Sequence, residues 1–299
     1  IIIMSVEEKK ISEVSSIPKQ EMQEQPGLQH ELTPQPLVHH LPDQTDDRIK
    51  EYQAAGKLKG KIVIITGGDS GIGRSTAALF AMEGAEGIAI DAKDTKESIE
   101  KHTNTCVLLI CKDIGHEQNV IEVVNEVVKK WGRIDILVNN ASEQHVCEKI
   151  EEIDSSQVEK TFKSNIFGMI YMTKHCVKHM KQGSTIINVS SVTAYHGHPV
   201  LIDYSSTKGA IVSFTRSLSL QLVQRGIRVN GVAPGPIWTP LIKASFSPEK
   251  MEKFGKEVPM KRAGQPSEVA TCNVFLASND SSYITGQFLH PNGGTIVNG

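Results

Sequence analysis

Tyr204 and Lys208 stand four residues apart, in the one Tyr-x-x-x-Lys of the chain. On a helix, positions i and i+4 share a face, so phenol and amine would point the same way. An ammonium beside a phenol favours the phenolate and draws its pKa down from ~10 towards the range useful in acid–base work. Such a pair by itself is ordinarily a surface ion partner. Here Ser191 precedes it by 13 residues, at the end of the aliphatic run Thr185–Val189. Carboxyl ends of parallel strands are where sheets of that kind hold ligands.

A second group of residues supplies the ligand. Thr66-Gly67-Gly68-Asp69-Ser70-Gly71-Ile72-Gly73 follows the run Ile62–Ile65 and opens a helical pattern. Glycines let backbone approach a pyrophosphate, and the free N–H groups and dipole of a helix start favour its charge. Gly68 and Gly73-Arg74-Ser75 also fit the spacing of a nucleoside triphosphatase phosphate loop. Arg74, however, stands where that loop needs the compact point charge of lysine, and arginine is not its equivalent. Dinucleotide binding is therefore the expectation. Asp91, 18 residues beyond Gly73, closes the second aliphatic run, where a carboxylate would accept the adenosine ribose hydroxyls. Ser70 offers no cation for an additional phosphate, so NAD is expected, with NADP the alternative.

The elements that must position these groups alternate regularly. Strand signals at Ile62–Ile65, Ile88–Ile90, Val107–Ile110, Ile134–Val138, Thr185–Val189 and Arg228–Val232 are separated by helical patterns. These include Val120–Trp131, a long helix from Val158 to Met180, and one from about Tyr204 to Arg225. Continuous aliphatic strands imply burial on both faces, and β-α-β alternation implies a doubly wound α/β domain with a central parallel sheet flanked by helices. That single Rossmann domain is expected over 57–299, with a segment at about 235–262 covering the substrate. Residues 1–56 differ: five prolines, seven glutamines, one aromatic and a charge of −5 predict an extended N-terminal arm, disordered or packed on a neighbouring subunit. His39–His40 has no third ligand at a useful spacing, so no metal is expected. Five cysteines without a Cys-x-x-Cys pair read as reduced thiols, and Cys106 and Cys111 as core filler. A net charge of −2 gives no field for nucleic acid or an acidic membrane, and no run approaches the ~20 residues of a membrane helix. Ile1–Ile3 is too short for a signal peptide's apolar region, so a cytoplasmic location is expected.

With Asn139-Asn140-Ala141, Asn165 and Pro234-Gly235-Pro236-Ile237-Trp238-Thr239 in the same order, residues from about Lys57 to Gly294 resemble a short-chain dehydrogenase/reductase. The extension, Ser142-Glu143-Gln144-His145 and Asn292-Gly293-Gly294 resemble its bacterial glucose-dehydrogenase-like, general-stress subgroup. The resemblance implies an NAD(P)-dependent oxidoreductase that moves a hydride between nicotinamide and an alcohol or carbonyl. Tyr204 would be the general acid/base, and Lys208 would lower its pKa and hold the nicotinamide ribose. Ser191 would bond the substrate oxygen, while Asn165 would hold a water in a proton relay. Asn139 would steady the fourth strand beside the cofactor, and Asp113 would meet the adenine edge. The Ile237 backbone and Thr239 would meet the carboxamide. Gly67, Asp69, Ser70, Gly71, Ile72, Gly73, Asp91, Ile114, Ala141, Pro234 and Gly235 complete the implied cofactor contacts. His145, His196 and His198 would border the substrate, and a homotetramer is implied. Ser142 departs from the glycine common after Asn-Asn-Ala.

Overall fold

The structure is a computed structural model that describes residues 9–25 and 27–297. Its N-terminal extension carries a short helix α1 (Ile11–Ser15) and a two-stranded antiparallel hairpin, β1 (His40–Asp43) with β2 (Arg48–Glu51). The sparse apolar residues of this arm are its anchors. Val14, Leu37 and Ile49 form one small cluster, and Ile17 and Leu32 join Trp238, Phe246 and Met251 in another. Composition left disorder or a neighbouring subunit as the options. The described part of the arm instead lies on its own chain, because residues 238–251 offer it an apolar surface it could not make alone.

The domain itself is wound about seven parallel strands. In chain order come β3 (Ile62–Ile65), α2 (Gly71–Met82), β4 (Gly87–Ile90), α3 (Lys93–His102), β5 (Cys106–Leu109), α4 (Glu117–Trp131) and β6 (Ile136–Asn139). Then follow α5 (Ser155–Phe162), α6 (Gly168–Cys176), β7 (Thr185–Val189), α7 (Thr193–His196), α8 (Ile202–Leu222) and β8 (Arg228–Val232). The chain ends with α9 (Pro240–Lys243), α10 (Pro248–Lys253), α11 (Pro266–Ala277) and β9 (Phe288–Leu289). Strand order is β5-β4-β3-β6-β7-β8-β9. Side chains alternate across the pleat. Val63 and Ile65 therefore enter the core shared with α2 and α11, and Ile62 and Ile64 the one shared with α4 and α6.

Order reverses between β3 and β6, which opens a crevice at the carboxyl ends of the strands. Asp91 and Ser191 follow the carboxyl ends of β4 and β7 and line a cleft there. Two expectations change. Cys106 and Cys111 are exposed, since β5 is an edge strand. The long helix expected from Val158 is interrupted by a π turn at Lys163–Phe167, a one-residue widening common at functional sites.

Candidate active site

The glycine turn is shaped by close backbone approach. A Cβ on Gly73 would lie 1.9 Å from the Gly67 carbonyl oxygen, and one on Gly71, where φ is +49°, would lie 3.0 Å from Thr239 Cγ2. Asn140 fixes the turn from β6: its Nδ2 donates to the carbonyls of Thr66 and Gly67 at 3.0 and 2.8 Å. The N–H groups of Asn140 and Ala141 donate to Thr66 Oγ1 at 3.0 and 3.1 Å. Behind the turn, the Gly68 N–H donates to Asp91 Oδ1 at 2.7 Å. Burial, reinforced by nearby Asp69, pushes the Asp91 carboxyl up to about 6.

A cleft of about 1390 Å³ runs from this turn across the sheet. Asp69, Ser70, Gly71 and Ile72 line it with Asp91, Asp113 and Ile114. Gly67, Ala141, Pro234, Gly235, Ile237 and Thr239 line the same cleft, and so do Ser191, Tyr204 and Lys208. These residues fit a dinucleotide. The glycines leave a cradle that a Cβ would fill, at the start of a helix, and the Asp91 carboxyl at the end of β4 would hold the adenosine ribose. Gly73 and Asn139 stand behind the wall. Gly73 permits the tight turn, and Asn139 Nδ2 donates to Asn188 Oδ1 and Thr173 Oγ1 at 2.9 and 3.2 Å, tying β6 to β7.

Helix α8 carries both catalytic candidates inward. Tyr204 and Lys208 are buried, and the Lys208 ammonium lies 5.2 Å from the centre of the Tyr204 ring. Its Nζ donates to the Val189 carbonyl at 3.0 Å. Shared facing is thus as expected, but the expected acidification is absent. Burial pushes Tyr204 up to about 12, with the Ser191 hydroxyl acting in the opposite direction, and burial pulls Lys208 down to about 7. The reason is physical: the amine lies over the ring and bonds a carbonyl, so desolvation outweighs attraction between the two groups. Ser191, at the end of β7, accepts from the Thr193 N–H and hydroxyl, both at 3.1 Å.

The π turn presents Asn165 inward. Its Oδ1 accepts the Glu143 N–H at 2.7 Å, while Nδ2 donates to the Glu143 carbonyl and Thr207 Oγ1 at 2.9 and 3.0 Å. Asn165 therefore joins the loop after β6 to α8, one residue from Lys208. Glu143 is not among the expected site residues; the sequence marks it only as part of the stretch Ser142-Glu143-Gln144-His145. Its carboxylate reaches the cleft and accepts from Lys160, Ser164 and His145 at 2.6, 2.9 and 2.9 Å. Burial opposes ionisation there, yet these three partners hold the carboxyl below its usual value. His196 and His198 border the cleft, whereas His145 reaches it only through Glu143. Ser142 lines the wall with its hydroxyl buried and unpartnered.

Comparisons with known proteins agree with this geometry. Residues 67–295 match a family model described as enoyl-(acyl carrier protein) reductase, one of the short-chain dehydrogenase/reductases. The chain belongs to the short-chain dehydrogenase/reductase family. It is 51% identical over 294 residues to the glucose and ribitol dehydrogenase of Daucus carota, covering 94% of this chain and 98% of that one. It is 52% identical over 293 residues to the chloroplastic NADPH-dependent aldehyde reductase 1 of Arabidopsis thaliana, at 94% and 98% coverage. Among solved structures, 3-ketoacyl-(acyl-carrier-protein) reductase from Brucella melitensis complexed with NADH superposes with a TM-score of 0.72. That pair is 32% identical, and the match covers 79% of this chain and 98% of the other. The chain is an NAD(P)-dependent oxidoreductase, and the glucose-dehydrogenase-like subgroup expected from its sequence agrees with the carrot relative's name.

In this short-chain dehydrogenase/reductase the segment after β8 also lines the cleft, through Leu241, Ile242, Phe246 and Phe254. Trp238 is wholly buried beneath it and donates from Nε1 to the Pro34 carbonyl at 2.8 Å. The arm's Gln25 also lines the cleft and donates to the Gln144 carbonyl. Nothing in the composition of residues 1–56 signals that reach. Among the described residues, no helix is long and apolar enough to cross a membrane.

Proposed function

We propose that the enzyme interconverts an alcohol and a carbonyl on a small, polyhydroxylated substrate, with Tyr204 as the proton-transfer group. The observation that carries this reading is the convergence of Ser191, Tyr204 and Lys208 on the cleft that the glycine turn also lines, with the apolar Leu241, Ile242, Phe246 and Phe254 of the segment after β8 as its roof. The bound nicotinamide supplies or accepts the hydride. In the reductive direction Ser191 donates a hydrogen bond to the carbonyl oxygen, and Tyr204, protonated at neutral pH, gives that oxygen its proton. Lys208 holds the floor of the site through Val189 and takes the nicotinamide ribose on its remaining donors. Asn165 keeps the Glu143 loop in register with α8.

Polyhydroxylated substrates are favoured by the polar rim that Glu143, His196 and His198 add to the roof's aromatic face, and by the carrot relative's name. Asp91 favours NAD, because its carboxylate would repel the additional phosphate of NADP. The domain boundary at 57 and a substrate lid over about 235–262 belong to the same reading. So does a homotetramer, supported by exposed Phe167 and Ile170 on one long helix and Leu220 and Val223 at the end of the other. A cytoplasmic protein without nucleic-acid partners fits its charge of −2.

Tyr204→Phe tests the central role. Turnover, followed by absorbance of the reduced nicotinamide with sugars and polyols, should fall at least ~10²-fold while cofactor binding persists. Unchanged turnover would remove Tyr204 from the chemistry.

A further inference from the structure

The N-terminal arm meets the phosphate turn at one buried contact. Gln29, 7% exposed, accepts the Gly71 N–H through Oε1 at 2.7 Å. Gly71 is the first residue of α2, and its other side faces Thr239 at the root of the roof. The arm also fastens that root. Lys243 Nζ donates to the Glu31 carbonyl at 2.8 Å, the Gln23 N–H donates to the Lys243 carbonyl at 3.2 Å, and Trp238 bonds Pro34. A Cβ on Gly27 would lie 2.6 Å from the Pro240 carbonyl, so the arm runs against the start of α9 with no room between.

Glutamines explain how an arm with little regular structure holds this course. Gln23 accepts the Leu28 N–H at 2.7 Å and donates to the Leu28 carbonyl at 3.1 Å. Gln20 accepts the Thr33 N–H at 2.9 Å and donates to the Thr33 carbonyl. These side chains take the place of a partner strand and set the short turn Gln29–Glu31 down on α2.

We propose that residues 20–37 form an intramolecular strap, with Gln29 the positioning residue that holds Gly71 and, through it, the pyrophosphate-binding turn against the root of the roof. Gly71 has a left-handed backbone, a conformation glycine enters without penalty and leaves as easily. An acceptor fixed by the strap removes that freedom before the cofactor arrives, so binding does not have to order the turn. Gln29 touches neither substrate nor the reacting atoms, so its effect is on cofactor affinity and not on the proton-transfer step.

The inference rests on the proposed dinucleotide site, and cofactor titration of the full chain separates the two. If the unaltered protein binds neither NAD nor NADP, the site reading fails. If it binds, Gln29→Met, similar in size and lacking the oxygen, should raise the cofactor Kd and KM about tenfold, the loss expected for a buried N–H left unpaired. The substrate-saturated kcat should change less than about twofold. Gln29→Glu keeps an acceptor oxygen but sets a negative charge beside the pyrophosphate, so it should weaken cofactor binding at least as much, and Gln44→Met, exposed in the same arm, should change nothing. Equal affinity for Gln29→Met and the unaltered protein overturns the strap. So does tighter binding, which would mean that Gln29 competes with the cofactor for the amide. Should Gln29→Met fold poorly by circular dichroism, Gln29→Glu decides: cofactor affinity equal to that of the unaltered protein in a folded Gln29→Glu also overturns it.

Discussion

Lys208→Met should make the protein more stable and inactive, and the gain should depend on pH. The amine is 2% exposed, and burial takes it from an ordinary 10.5 to about 7. An unfolded lysine stays protonated up to 10.5, whereas the folded one releases its proton above about 7. Between these values the unfolded chain binds more protons, so this lysine's contribution makes stability rise with pH across that window. At about pH 6 both states are protonated and the full cost of burying the cation is present. At ~1.4 kcal/mol per pH unit that cost is ~5 kcal/mol. Methionine removes it but leaves the Val189 carbonyl without its 3.0 Å donor, a loss of ~1–3 kcal/mol. The net expectation is therefore a gain of ~2–4 kcal/mol at about pH 6 in urea unfolding of the cofactor-free protein. Near pH 9.5 only ~1 kcal/mol of burial cost remains, and the gain should vanish or reverse. A difference between variant and parent that is the same at both pH values would refute the reasoning, since a packing effect alone has no such dependence.

Asp91→Asn should lower the ratio of NAD to NADP affinity about tenfold at neutral pH by removing a like charge from the ribose site. The same ratio in the unaltered enzyme should fall as pH drops through about 6, where the carboxyl takes up its proton. Paired binding titrations check both, and a flat ratio would exclude Asp91 as the discriminator. Gly73→Ala places a methyl 1.9 Å from the Gly67 oxygen, so the turn must open. Cofactor binding should be lost, with destabilisation of ~1–3 kcal/mol measurable by thermal unfolding, and retained binding would show that the turn yields cheaply.

Much of the fold is written locally. The strands Ile62–Ile65, Thr185–Val189 and Arg228–Val232 lie at the bounds their aliphatic runs predict, because a strand buried on both faces needs an unbroken apolar stretch. Strand β9 and helix α11 escaped that reading. Phe288–Leu289 is too short to show a pattern, and α11 mixes Ser267, Glu268, Thr271 and Asn273 with its apolar residues, so no clean helical stripe marks the helix that packs against α2 and the sheet. Glycine spacing and the Tyr204–Lys208 interval likewise announce a cradle and a shared helical face.

Tertiary structure decided what those residues do to one another. The sequence sets amine and phenol on the same side of α8. Only the packing placed the amine over the ring and against Val189, where loss of water governs both pKa values more strongly than their mutual attraction. Glu143 enters the cleft because a π turn carries Asn165 to its backbone, a change of helical register no periodicity reports. The arm is the clearest case. Its composition cannot bury a core alone, and nothing in its seven glutamines marks which of them is buried. Gln29 becomes a buried acceptor only because α2 and the roof offer an amide and an apolar surface more than 40 residues away in the chain. Local pattern fixes which elements form, and long-range contact determines which polar atoms lose water and therefore which of them hold the site.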